Sequence, residues 1–83
     1  MRYQEIRTGM PEEQVSLIVK ARETRSIIAF YKRYIATTIT IKNAFPDIEL
    51  EADKLIATAK ELISANEKLL VDIELRYGLM FDD

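Results

Sequence analysis

At 83 residues and a net charge of −2, the chain holds one small domain, and with 48% hydrophobic and 31% charged residues it does not have the make-up of a disordered tail. Cysteine and histidine are both absent, which excludes disulfides, most zinc sites and the commonest general base. Two glycines and two prolines leave little scope for long loops.

The opening Met1-Arg2-Tyr3-Gln4-Glu5 has no apolar run behind it and does not read as a signal peptide. The charge-free stretch Tyr34 to Ile41 falls far short of the roughly 20 residues of a membrane span, so the expectation is a cytoplasmic protein. Residues 1–10 form an N-terminal segment in which Tyr3, Ile6 and Met10 have helical spacing and can fold over an apolar gap. A first helix, 11–42, opens at Thr8-Gly9-Met10-Pro11-Glu12-Glu13, with proline at its first position and two acids at the positive end of its dipole. Its seam runs Leu17, Ala21, Thr24, Ile28, Tyr31, Ile35 and Thr38, flanked by Ile27, Tyr34 and Ile41, while Val15, Val19, Phe30 and Ile39 fall outside. The β-branched run Ile35 to Ile41 has strand character, but no second strand exists to pair with it, so it is assigned to the helix.

Asn43-Ala44-Phe45-Pro46-Asp47 is the internal turn, centred on 43–46. A second helix, 47–77, follows, with Asp47, Glu49, Glu51 and Asp53 at its start, Arg76 near its end and Gly78 as a C′ cap. Its expected seam is Ile48, Ala52, Leu55, Ala59, Leu62, Asn66, Leu69 and Ile73, with Ile56, Ile63, Leu70 and Tyr77 beside it at one-heptad spacing. The tail, 78–83, places Leu79, Met80 and Phe81 before two acids, so it docks on its own bundle or hooks a partner.

Two helices of about 30 residues, each about 45 Å long, joined by so short a turn must lie antiparallel: the predicted fold is an all-α helical hairpin. Charge suits that pairing, since residues 11–43 carry six bases and three acids and residues 44–83 carry four bases and ten acids. The stripe is wider than one hairpin seam. Ile56, Ile63 and Leu70 each forgo about 1.5–3 kcal/mol if left in water, against a whole-domain stability of about 5–15 kcal/mol. That predicts a homo-oligomer, two hairpins in a dimeric four-helix bundle, associating through Ile56, Ile63, Asn66 and Leu70. Asn66 in the seam either fixes register or turns to water.

No constellation points to an enzyme. Phe30-Tyr31-Lys32-Arg33-Tyr34 interleaves rings and bases as a nucleic-acid patch does, but helical geometry spreads the five around the cylinder and the chain is acidic. Lys20, Arg22, Arg25, Lys32 and Arg33 form a solvated face rather than a membrane-binding one, being interrupted by Glu23. Glu49 and Asp53 share a face, yet a di-metal bundle site needs Glu-x-x-His. The expectation is no catalytic, metal or cofactor site, and a non-enzymatic regulatory protein that binds another protein through Lys32, Arg33, Leu79, Met80 and Phe81. The alternative is a small helical RNA-binding dimer.

Taken together, the opening Met1 to Pro11, the Phe30-Tyr31-Lys32-Arg33-Tyr34 stretch and Asn43-Ala44-Phe45-Pro46-Asp47, in a cysteine-free chain of this size, resemble the lysis-inhibition accessory proteins of T-even-type phages, the rapid-lysis III type. The resemblance implies a protein of the host cytoplasm that binds the cytosolic part of a holin and helps to delay lysis. It assigns no individual binding residue.

Overall fold

The computed structural model describes residues 5–81; Tyr3, expected from its spacing to help cover the apolar gap, lies outside them, as do Asp82 and Asp83. The described chain begins with a turn in which the Met10 N–H donates to the Arg7 carbonyl at 3.3 Å and Gly9 takes φ +86°, the left-handed position of a type II turn. Pro11 then stands at the N-cap, one residue before the first helical position expected for it, and the Val15 N–H closes the first turn on its carbonyl at 3.1 Å. Helix α1 runs Glu12–Ala44 and includes the β-branched run Ile35 to Ile41. It ends where the Phe45 N–H donates to Ile41, and a single 3-10 turn, Pro46–Ile48, reverses the chain into α2, Glu49–Met80.

Gly78 does not cap α2. It lies inside the helix, which continues to Met80 and stops at Phe81, whose N–H donates to the Tyr77 carbonyl at 2.7 Å. The Tyr77 and Phe81 rings, 5.7 Å apart at i, i+4, favour that extra turn over a glycine stop.

The helices pack antiparallel as an all-α hairpin. At the open end the Gln14 amide donates to the Tyr77 hydroxyl at 2.7 Å. Counting inward from that bond at equal rise sets Ala21 level with Leu70, Ile28 with Ile63 and Ile35 with Ile56. The same count brings Lys42 to the first turns of α2, where its ammonium is 2.7 Å from the Asp53 carboxylate and 3.9 Å from that of Glu49. The result is a rod of 55 × 20 × 16 Å with a radius of gyration of 17.2 Å, where a globular chain of this length would have about 12 Å.

The seam repeats in heptads. Taking Gln14, Ala21, Ile28, Ile35 and Lys42 as a positions of α1 puts Leu17, Thr24, Tyr31 and Thr38 at d, and every one of these is buried or half-buried. On α2 the seam is Ala52, Ile56, Ala59, Ile63, Asn66, Leu70, Ile73 and Tyr77, also all buried or half-buried. Here the structure differs from the sequence expectation. Ile56, Ile63 and Leu70 lie on the inner side, whereas Ile48, Leu55, Leu62 and Leu69 lie outside it, each more than a third exposed.

The core is thin. Its main cluster, Ile18, Ala21, Ile73 and Tyr77, sits at the open end and is covered by Met10, Leu17, Leu70 and Phe81. Towards the turn the buried seam is Ile28 with the small residues Ala52, Ala59, Thr24 and Thr38; the two threonine hydroxyls donate to the Lys20 and Tyr34 carbonyls of their own helix, at 2.7 and 2.8 Å. Ile18, Ile28, Ile73 and Tyr77 are the only large side chains buried among the described residues, and sixteen large hydrophobic ones remain exposed.

Candidate interaction surfaces

The exposed apolar residues are not scattered evenly. With a and d inside, the next position on one flank of α1 is g, occupied by Lys20, Ile27, Tyr34 and Ile41; the g line of α2 is Ile48, Leu55, Leu62, Leu69 and Arg76. In an antiparallel pair of right-handed helices the two g lines fall on the same side and the two e lines on the other. By the register above, Ile27 lies level between Leu62 and Leu69, Tyr34 between Leu55 and Leu62, and Ile41 between Ile48 and Leu55. The two lines thus mesh into one strip. Its isoleucines and leucines are 37–49% exposed, and Tyr34 is half-buried.

The strip widens where c positions adjoin it. Phe30, Thr37 and Ala44 on α1, and Thr58 and Ala65 on α2, carry no charge, so from Ile27 to Ala44 and from Leu55 to Leu69 both lines of that flank are free of charged side chains. Phe30 stacks on Tyr34 with centroids 6.5 Å apart, and Phe30, Arg33, Tyr34 and Thr37 line an open dimple of about 330 Å³. The opposite flank is mixed: its e line carries Ile18, Arg25, Lys32 and Ile39 on α1 and Asp53, Lys60, Glu67 and Glu74 on α2. Hydrophobic burial is proportional to apolar area removed from water, so the uncharged flank is the side with something to gain from company.

The partner-binding residues expected from sequence separate into two places. Lys32 and Arg33 are exposed in the middle of α1, while Leu79, Met80 and Phe81 lie at the open end. Within that end Phe81 packs on the Ile18–Tyr77 cluster, whereas Leu79 is 86% exposed and Met80 is exposed beside it. Phe81 therefore docks on its own hairpin, and Leu79 and Met80 stay available.

The self-association residues inferred from sequence, Ile56, Ile63, Asn66 and Leu70, all belong to the hairpin seam. Asn66 is half-buried there and its amide donates to the Leu62 carbonyl at 2.8 Å, a bond within its own helix. Sequence reasoning missed the buried Ile18, which sits at an e position where the N-terminal segment and Phe81 close over the seam. It also missed Leu55, Leu62 and Leu69 as an outward line. The available signal was the alternation of charged and uncharged flanks once both helices are placed in one register.

At the turn, Lys42 donates to Asp53 at 2.7 Å and lies near Glu49. The hydrogen bond to Asp53 holds the Lys42 ammonium above its ordinary pKa against a smaller opposing effect of burial, and the charges of Asp53 and Glu49 add to the rise. Among the described residues there is no group of carboxylates placed to hold a metal ion, and no helix is long and apolar enough to cross a membrane. No family model, curated protein or solved structure matches the chain.

Proposed function

We propose that this chain is a non-enzymatic regulatory protein that acts by protein–protein binding, working as a homo-oligomer whose free helical surface captures a segment of another protein. The observation that supports this is the excess of exposed over buried large apolar residues, nine of the sixteen exposed ones lying on the uncharged flank or at the Leu79–Met80 end. Exposed apolar surface of that extent on a small chain marks an interaction site. The mechanism is occupancy: a partner segment held on the hairpin is unavailable elsewhere. The resemblance to the phage lysis-inhibition proteins names the partner as the cytosolic part of a holin and the outcome as delayed lysis.

The test is calorimetric titration of the full chain with the cytosolic segment of the holin encoded by the same genome. A saturable complex is expected whose Kd moves less than about threefold between about 50 and 200 mM salt, because apolar contact releases few counterions. Replacing Leu79 and Met80 by alanine should weaken it by about tenfold or more, roughly the loss of one hot-spot side chain. No saturable heat at two well-separated temperatures removes the holin as partner, because apolar burial changes the heat capacity and so gives heat at one of them at least. Binding to RNA that falls steeply with salt and disappears with Lys32→Glu and Arg33→Glu would establish the RNA-binding alternative instead.

A further inference from the structure

We infer that the uncharged flank, built on Ile27, Tyr34, Ile41, Leu55, Leu62 and Leu69, is where a second copy of this chain docks, closing a four-helix bundle with the charged flank left in water. This deepens the protein-binding reading and rests on it: it assigns which face is spent on self-pairing, and so leaves the Leu79–Met80 end for the other partner.

Three observations converge on a second copy as occupant. The first is shape. The flank is two helices wide, and its two g lines mesh along the middle of the rod into one continuous uncharged strip. Another pair of helices matches such a face in width and length, whereas a lone partner helix, about 10 Å across, would cover only half of its width. The second is area. From Ile48 to Leu69 the strip is about 30 Å long at 1.5 Å per residue. Across a rod 20 Å wide that gives about 600 Å² per copy, or about 1,200 Å² for the pair, within the range of stable specific interfaces. The chain exposes 6191 Å², where a globular protein of 9.6 kDa would expose about 5,100 Å², a surplus of the same order. The third is charge. A two-fold pairing brings each patch onto its own copy, so any single-sign charge in it would meet itself. Both g and c lines of this flank are free of charge over their central length, and the e line of the opposite flank, with bases on α1 and mostly acids on α2, is not.

The chain contains no cysteine, so single cysteines report cleanly on each flank. Leu55→Cys and Leu62→Cys sample the uncharged flank, and Lys60→Cys and Glu67→Cys sample the other; all four positions are exposed outside the hairpin seam. Sedimentation of the full chain gives the mass, and alkylation of each thiol is timed above and below the concentration at which the mass changes. The expected result is a two-chain mass in which the thiols of the Leu55→Cys and Leu62→Cys chains are alkylated at least tenfold more slowly when paired. Those of the Lys60→Cys and Glu67→Cys chains should change less than twofold. A Leu62→Glu chain should keep its helical circular dichroism and sediment as one copy. A two-chain mass with protection of the Lys60→Cys and Glu67→Cys thiols overturns this assignment of the face but leaves the protein-binding reading standing. A one-chain mass at about 100 µM overturns the second copy as occupant. The holin titration then decides the broader reading separately.

Discussion

Tyr77 joins three parts of the hairpin at one side chain. It is 1% exposed, accepts the Gln14 amide proton at 2.7 Å and packs its ring at a tilt against Phe81, so it ties α1, α2 and the end of the chain together. Tyr77→Phe keeps the ring and removes only the hydroxyl; a loss of about 0.5–1.5 kcal/mol is expected, as for an ordinary hydrogen bond whose other partner can reach water. Tyr77→Ala removes the ring as well, at about 3–5 kcal/mol, a large share of a marginal domain's stability. Urea melts followed by circular dichroism read both, and equal effects would show the hydroxyl to be the whole contribution. Lys42 acts differently, through charge. Its pKa is raised by Asp53 in the folded chain, so its contribution is complete below the unfolded value of about 10.4 and is lost as pH rises through the folded pKa. Wild type should therefore melt above Lys42→Met by a constant margin between about pH 7 and 9, with the margin closing only in stronger alkali. A margin that closes near neutrality would assign the effect to another group.

At the scale of the elements, the two glycines make opposite predictions. Gly78 lies inside α2 with open space where a Cβ would go, so Gly78→Ala should stabilise the helix by about 0.4–1 kcal/mol. Gly9 sits at φ +86°, where a side chain is strained whatever the space, and Gly9→Ala should destabilise by about 1 kcal/mol or more. Thermal melts of the two variants should shift in opposite directions. Gly78 also shows why sequence patterning misplaced the end of α2: glycine after a long periodic run is a frequent stop, but a Tyr77–Phe81 ring contact one turn on outweighs it. The α1 seam expected from sequence, Leu17 to Thr38, matches the structure even though Ile27-Ile28 and Tyr34-Ile35 also set two apolar side chains side by side. On α2 the pairs Leu55-Ile56, Leu62-Ile63 and Leu69-Leu70 place two large apolar side chains side by side in every heptad. Period alone fixes the stripe but not which member of each pair meets the partner helix. That choice belongs to the register set by the Pro46–Ile48 turn and the Gln14–Tyr77 bond, neither of which has a periodic signature.

For the whole molecule, the decisive relation is between a thin core and an apolar flank. Four large side chains are buried in one hairpin, and three of the seven buried hydrophobic residues are alanines that hide little area. A chain held by so little is expected to take part of its stability from the second copy, so folding and pairing should be coupled. Coupling has a thermodynamic signature that a self-sufficient hairpin lacks. For a two-chain folded state in equilibrium with single unfolded chains, a tenfold rise in concentration adds about 1.4 kcal/mol. Divided by an unfolding entropy of about 2.1 cal/mol/K per residue over both chains, that is a rise in Tm of about 4 °C per decade of concentration. Scans from about 5 to 500 µM should therefore separate by about 8 °C, and Leu62→Glu should both lower Tm and abolish the dependence. A wild-type Tm that stays fixed over that range would mean that Ile18, Ile28, Ile73 and Tyr77 hold one hairpin unaided. The flank from Ile27 to Leu69 would then be an open surface rather than half of an interior.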